Sequence, residues 1–243
     1  MVQEVLFYLI VLLTNIVQCI TGFAGTVLAM PFSIMLVGYE TAKPILNILG
    51  IVVSAVIVVT NFRKINKREF LKMTGVMAVC IIADFFIGQY FLQYKSVMYK
   101  TLGIIVILFA IINAVKFYSK KEEKPLPSLL MNIILVLSGF VHGIFVCGGP
   151  LLVTYASAKL KDKDEFRSTL SAVWVILNSI IMIEDISSGY FNKEVLIMLS
   201  ISVIILTAAM TIGNILCKKM SKSVFLQITY VLMLISGISL LIK

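Results

Sequence analysis

Eight apolar runs divide this chain, at about residues 5–37, 44–61, 71–93, 98–116, 128–158, 168–184, 194–216 and 223–242. Each approaches or exceeds the roughly 20 helical residues needed to cross a hydrocarbon layer about 30 Å thick. The runs do not alternate apolar and polar residues, which excludes a transmembrane barrel. Helices are the remaining way to pair every backbone group in lipid. Composition agrees, with 60% hydrophobic and 14% charged residues, against about 45–50% and about 25% in soluble domains. The chain reads as an all-α, polytopic membrane protein.

The N-terminus, MVQEVLFYLI, has no basic leader and carries Glu4, so it reads as a retained first span and not a cleaved signal. Cys19, Cys80, Cys147 and Cys217 are scattered without CxxC spacing, so neither a disulfide framework nor a zinc site is expected. The formal net charge of +9 lies in short loops between apolar spans, which points to membrane orientation and not to a nucleic-acid partner. No GxxxxGK[ST] motif occurs and the loops are too short for an ATPase domain, so no nucleotide or other cofactor is expected. The expected partners are the lipid bilayer and a small solute, and homo-oligomer formation is left open.

Loop charges orient the spans. If the long run 128–158 crosses once, the 21 Lys and Arg residues divide 11 to 10. If it instead reverses, or crosses twice, the loops 61–72, 116–127, 159–167 and 217–222 share one side and the split becomes 16 to 5. The positive-inside rule selects the second arrangement, with those loops cytoplasmic and the turns 38–43, 94–97 and 184–193 outside.

The chain also repeats itself. TGFAGTVLAMP (21–31) is similar to SGFVHGIFVCGGP (138–150), and ADFFIGQYFLQYKS (83–96) to AAMTIGNILCKKMS (208–221). Two units follow: a first inverted repeat over 1–118, a cytoplasmic linker over 119–127 and a second inverted repeat over 128–243. Each has a broken or hairpin first segment followed by three transmembrane helices. An odd number of crossings in each half inverts one against the other and leaves both termini outside a cell membrane.

Inverted repeats with interrupted spans point to a transporter site near the midplane. A helix that begins inside the membrane exposes unpaired N–H groups and a partial positive charge of about half an electron, which suits an anion. Pro150 fits the first turn of such a helix, Gly148 and Gly149 let a ligand approach the backbone, and Pro31 is expected to play the same part in the first half. Beyond each break runs a polar stripe on one helical face: Lys43, Asn47, Gly50 and Ser54, then Arg167, Ser171, Trp174 and Asn178. Such stripes belong against protein and not lipid, with Lys43 and Arg167 as cationic landing points for an anion on opposite sides.

The stretches GFAGTVLAMP (22–31), GFVHGIFVCGGPLLVTY (139–155) and DEFRSTL (164–170) resemble the TauE/SafE family of sulfite exporters, also called TSUP, in both halves and in order. The resemblance implies passage of sulfite, organosulfonates such as sulfoacetate, or other small sulfur-containing anions. It places Gly148, Gly149, Pro150, Tyr155 and Arg167 on motif positions of the second half, and Gly22, Gly25 and Pro31 on those of the first. Cys147 stands where the family often has glycine, and His142 where small residues are common.

The candidate substrate contacts are therefore Gly22, Phe23, Gly25, Thr26 and Pro31 at the first break, with Lys43 and Asn47 beyond it. At the second break they are His142, Cys147, Gly148, Gly149, Pro150 and Tyr155, with Arg167, Ser171 and Asn178 beyond. His142 is read either as a proton carrier or as a hydrogen-bonded packing residue. Asp84, near the middle of its span, is read either as a coupling acid or as a structural hydrogen-bonding group. Glu184 and Asp185 are expected to be solvated at the outer boundary. The expected function is a secondary transporter, in the export direction, for small sulfur-containing anions by alternating access. The alternatives are an anion channel of the same fold and a membrane-embedded sulfur-handling enzyme using Cys147.

Overall fold

The computed structural model describes residues 2–91, 127–146, 148–160 and 162–241, together with scattered positions between 97 and 115 that are all helical. The linker residues 116–126 and Cys147 lie outside the described residues. Helices α1 (Val2–Thr21), α2 (Ala24–Val37), α3 (Tyr39–Asn61) and α4 (Lys67–Phe91) belong to the N-terminal half. Helices α5 (Ser128–Phe145), α6 (Gly149–Lys159), α7 (Lys163–Ser187), α8 (Lys193–Lys219) and α9 (Lys222–Leu241) belong to the C-terminal half. No strand occurs among the described residues. Helices α1, α3, α7 and α8 are long and apolar enough to cross a bilayer.

Several helices start where the sequence supplies an acceptor for the free first-turn amides. Asn66 Oδ1 accepts from the Glu69 N–H at 3.1 Å, and Asn192 Oδ1 from the Val195 N–H at 2.9 Å. Asp162 Oδ1 accepts from Asp164 and Glu165 at 3.0 and 2.9 Å. Each is an N-cap.

Both long runs break once. Gly22, at φ +83°, turns α1 into α2, and Val146, at φ +54°, ends α5 three residues before α6. Gly22 suits that left-handed conformation, and a side chain there would also meet the Arg167 carbonyl at 3.3 Å. The first break is therefore at Gly22–Phe23 and not at Pro31, which is the eighth residue of α2 and opens no helix. Glycine supplies the positive φ that the reversal needs; proline, with φ fixed near −65°, has no such freedom. Pro150 does fall in the first turn of α6, where its missing N–H forfeits no bond. At about 1.5 Å per residue, the 11 residues of α6 rise roughly 16 Å, about half a hydrocarbon layer.

Hydrogen bonds sort the helix ends onto two faces. On the basic face, Asn66 binds Thr169 and Glu165, and Lys163 Nζ donates to the carbonyls of Cys217 and Met220. These bonds gather the turns near 65, 162 and 220. Lys72 reaches Asn132 near the start of α5, and Tyr155 near the end of α6 reaches Glu69, so the 128–160 run enters and leaves on this one face. On the opposite face, Lys43 of α3 meets Glu184 and Asp185 of α7. Helix α1 ends beside α8, with Cys217 Sγ donating to the Ile20 carbonyl at 3.7 Å.

Helices α3 and α7 pack along each other at the centre, α1 packs on α8 and α4 on α5. In both outer seams a glycine receives a cysteine. A Cβ on Gly213 of α8 would lie 2.6 Å from Cys19 Cβ, and one on Gly139 of α5 would lie 2.7 Å from Cys80 Cβ. Small residues let helices approach closely where lipid offers no hydrophobic drive for association. Gly213→Ala is expected to cost about 1–3 kcal/mol through overpacking, read as a lower thermal midpoint in detergent. Gly75→Ala, at a helical position with open space around it, is the control and should gain about 0.5–1 kcal/mol.

Candidate functional site

The two breaks meet. A Cβ on Gly149 would touch Phe23 at 3.3 Å, both at its ring and at its carbonyl. Around this contact lies a small cavity. It is lined by Gln18, Phe23, Thr26 and Val27 from the first break and by His142, Val146 and Gly149 from the second; α7 adds Trp174 and Asn178. Helix α1 delivers Gln18 because Thr14, Gln18 and Thr21 share one helical face, all three buried. The α7 stripe delivers Trp174 and Asn178, and the α3 stripe backs them, with Gly50 close to both Asn178 and Thr26.

His142 is 3% exposed, its Nε2 bonds Asn178 Oδ1 at 2.8 Å and its ring lies 4.7 Å from that of Trp174. Among the described residues, His142 Nδ1 and Trp174 Nε1 have no hydrogen-bond partner. No carboxylate, lysine or arginine is among the described lining residues. The lining residues thus carry an indole N–H, a threonine hydroxyl, an imidazole and the first turn of α6, groups able to bond a small polar or negatively charged guest.

The two helix N-termini at the cavity differ. At α2, Phe23 and Ala24 donate to Thr21 Oγ1 at 3.4 and 3.2 Å, and Gly25 donates to Gln18 Oε1 at 2.7 Å. These amides already have acceptors. At α6 the N-cap is Gly148, which has no side chain to offer, and no side chain among the described residues caps the helix. Gly148 instead hands its carbonyl to Ser138 Oγ at 2.8 Å.

Of the residues singled out from sequence, Phe23, Thr26, His142, Gly149 and Asn178 line the cavity, with Trp174 of the polar stripe; Gln18, Val27 and Val146 join them. The polar spacing Thr14, Gln18, Thr21 was the signal for Gln18. Gly25 packs on Gln18 and Thr14, and Gly22 on Arg167 and Ser171. Arg167 is buried but turned to α1, where Nε donates to the Cys19 carbonyl at 2.8 Å and Nη2 to Asn214 Oδ1 at 3.1 Å. Tyr155 is at the basic face, its hydroxyl 2.9 Å from Glu69. Asp84 is buried against Gly143, with neither oxygen partnered among the described residues.

The reading of Asp185 as solvated is corrected, and Glu184 is only partly exposed. Asp185 is fully buried, Glu184 is 33% exposed, and both hold Lys43, itself 3% exposed, at 2.8 and 2.9 Å. Burying an ammonium needs a charge partner, and this one has two, so the carboxylates follow Lys43 into the protein. Asn47 extends the cluster inward, donating to the Asn178 carbonyl at 3.0 Å and lying 3.5 Å from Asp185 Oδ2. The tyrosine rings of residues 39 and 190 flank the ammonium at 6.0 and 5.8 Å.

The chain is thus a polytopic α-helical membrane protein whose two interrupted segments meet at a small cavity of mixed polar and apolar lining. Residues 7–240 match the family model described as sulfite exporter TauE/SafE, and the chain belongs to that family of membrane transporters. No curated protein and no solved structure matches it.

Lys43→Met strands the buried Asp185 and is expected to cost about 3–5 kcal/mol, measured as a fall in thermal midpoint. Adding Asp185→Leu should recover most of the loss. A single variant as stable as the parent would remove the ion pair from the account of the fold.

Proposed function

We propose that the protein is a secondary transporter for small sulfur oxyanions or organosulfonates. The guest would be held between the two breaks and exposed to each side of a plasma membrane in turn. The observation that carries this reading is the cavity where Phe23 meets Gly149, rich in donors and free of carboxylates among its described lining. Membership of the sulfite exporter family supports a sulfur-containing anion.

Packing supports a two-fold inverted arrangement of 1–118 and 128–243. The α1·α8 seam has its counterpart in α5·α4, α4·α7 in α8·α3, and α3 pairs with α7. Two different contacts would serve as closures. The Lys43 cluster seals one face, and the Tyr155–Glu69 bond ties α6 to α4 near the other. Alternating access would open one while the other holds. The positive-inside rule assigns the basic face to the cytoplasm. An uncompensated anion leaving a cell that is negative inside would be driven by about 2.3 kcal/mol per charge per 100 mV, which favours export.

The ligand class is tested by thermal shift on the purified chain with sulfite, thiosulfate, sulfoacetate, taurine, sulfate and simple carboxylates. Stabilisation by sulfur oxyanions or sulfonates is expected, and Trp174→Phe should weaken it about tenfold, the worth of one hydrogen bond at about 1.4 kcal/mol. A response confined to carboxylates sinks the sulfur assignment. Proteoliposomes separate a carrier from a channel, since a carrier shows exchange stimulated by substrate on the far side.

Orientation has its own measurement. Single cysteines at Arg63 and Asp162 should both label from the cytoplasm and resist an impermeant reagent added outside. Labelling from opposite sides would break the two-face arrangement.

A further inference from the structure

We propose that His142 takes up one proton when the anion enters, so that anion and proton occupy the cavity together. This rests on the anion-site reading above and adds the coupling ion to it.

The charge balance of the site leads there. A guest anion leaves water for a buried cavity and needs a positive partner. The two cations nearest in sequence expectation are both committed elsewhere: Lys43 to Glu184 and Asp185, Arg167 to the Cys19 carbonyl and Asn214. That leaves His142 as the titratable group among the described lining residues. Its Nε2 faces Asn178 Oδ1, an acceptor, so Nε2 carries a hydrogen whether the ring is neutral or charged. The proton that comes and goes is then on Nδ1, which is buried and unpartnered among the described residues. While Nδ1 is bare its lone pair repels an oxyanion. Once a proton from the aqueous phase forms the Nδ1–H bond, the same atom becomes a charged donor to the anion. The Trp174 ring, 4.7 Å away, gives the imidazolium an aromatic neighbour.

Other charges face this ring. From α4, Asp84 packs on Gly143, the next residue along α5. From α3, Lys43 opposes a protonated imidazole, and its own ion-pair partners are Glu184 and Asp185 of α7. The described lining from α1, α2 and α6, namely Gln18, Phe23, Thr26, Val27 and Gly149, brings no titratable group. A monoanion and a proton moving together carry no net charge, so their flux would follow the pH gradient and not the membrane voltage.

The test uses the purified full chain and methanesulfonate, whose charge is fixed across roughly pH 5 to 8, the range an imidazole spans. All proton uptake then belongs to the protein. On the alkaline side of the titration, Kd is expected to rise about tenfold per pH unit, the slope for one linked proton. Trp174 is the one tryptophan of the chain, and its fluorescence reads the charge on the adjacent ring. Saturating methanesulfonate should move that titration midpoint to higher pH. His142→Gln, or His142→Asn if the first does not fold, should flatten the slope, while Asp84→Asn should keep it. Binding with a flat slope in the parent chain overturns the proposal and leaves the site reading standing. A slope that survives in His142→Gln but disappears in Asp84→Asn also overturns it, giving the proton to Asp84. Absence of binding by methanesulfonate and by the whole oxyanion panel removes the site reading, and the proposal with it.

Discussion

A helix that stops inside a bilayer leaves carbonyls at one end and amides at the other with no water to take them, and each unpaired group costs several kcal/mol. Two interrupted apolar segments occur here, and many of the buried polar bonds close their ends. At the end of α1, Arg167 takes the Cys19 carbonyl and Cys217 takes that of Ile20. At the start of α2, Thr21 and Gln18 take three amides. At the second break, Ser138 takes the carbonyl of Gly148. The start of α6 differs, since no side chain among the described residues caps it, and it opens on the cavity. In the proposed function, the end offered to a guest is the one the protein does not close itself.

This division explains why the buried cations are not where a binding anion would need them. Arg167 repeats the position of Lys43 in the other half, and from sequence both look like a route for negative charge. In the fold each satisfies a structural debt. Arg167 joins the end of α1 to α7 and α8, and Lys43 pins α3 to α7 at the opposite face. A buried ion pair is weak evidence for stability, but removing one partner is costly. Their value here is positional, because α3 and α7 carry the polar stripes that meet behind the cavity.

Much of the helical layout was legible because it depends on local pattern. Apolar runs and the glycine at residue 22 act within a few residues of themselves. The period of the two stripes likewise placed Trp174 and Asn178 on the face that reaches the cavity. What was not legible depended on distant partners. Asp185 reads as a solvated end-of-span carboxylate until Lys43, 142 positions earlier, comes to meet it. Gln18 belongs to a polar face readable in α1, yet its role appears only when Gly25 folds back onto it. Pro31 reads as the start of a helix and instead stands inside α2, because proline marks helix starts only where an N–H is already spare.

The two breaks also differ in their internal energy. Gly22 adopts its left-handed backbone freely, whereas Val146, a β-branched residue at φ +54°, does so at a cost of about 1–3 kcal/mol. Val146 is 2% exposed and lines the cavity, so surrounding packing holds it in that state. Such strain persists only where the neighbourhood over-determines the backbone, and it is relieved when the neighbourhood moves. The second break, not the first, therefore holds backbone strain that a rearrangement can release. It also leads into the half-length helix α6, whose uncapped end opens on the cavity.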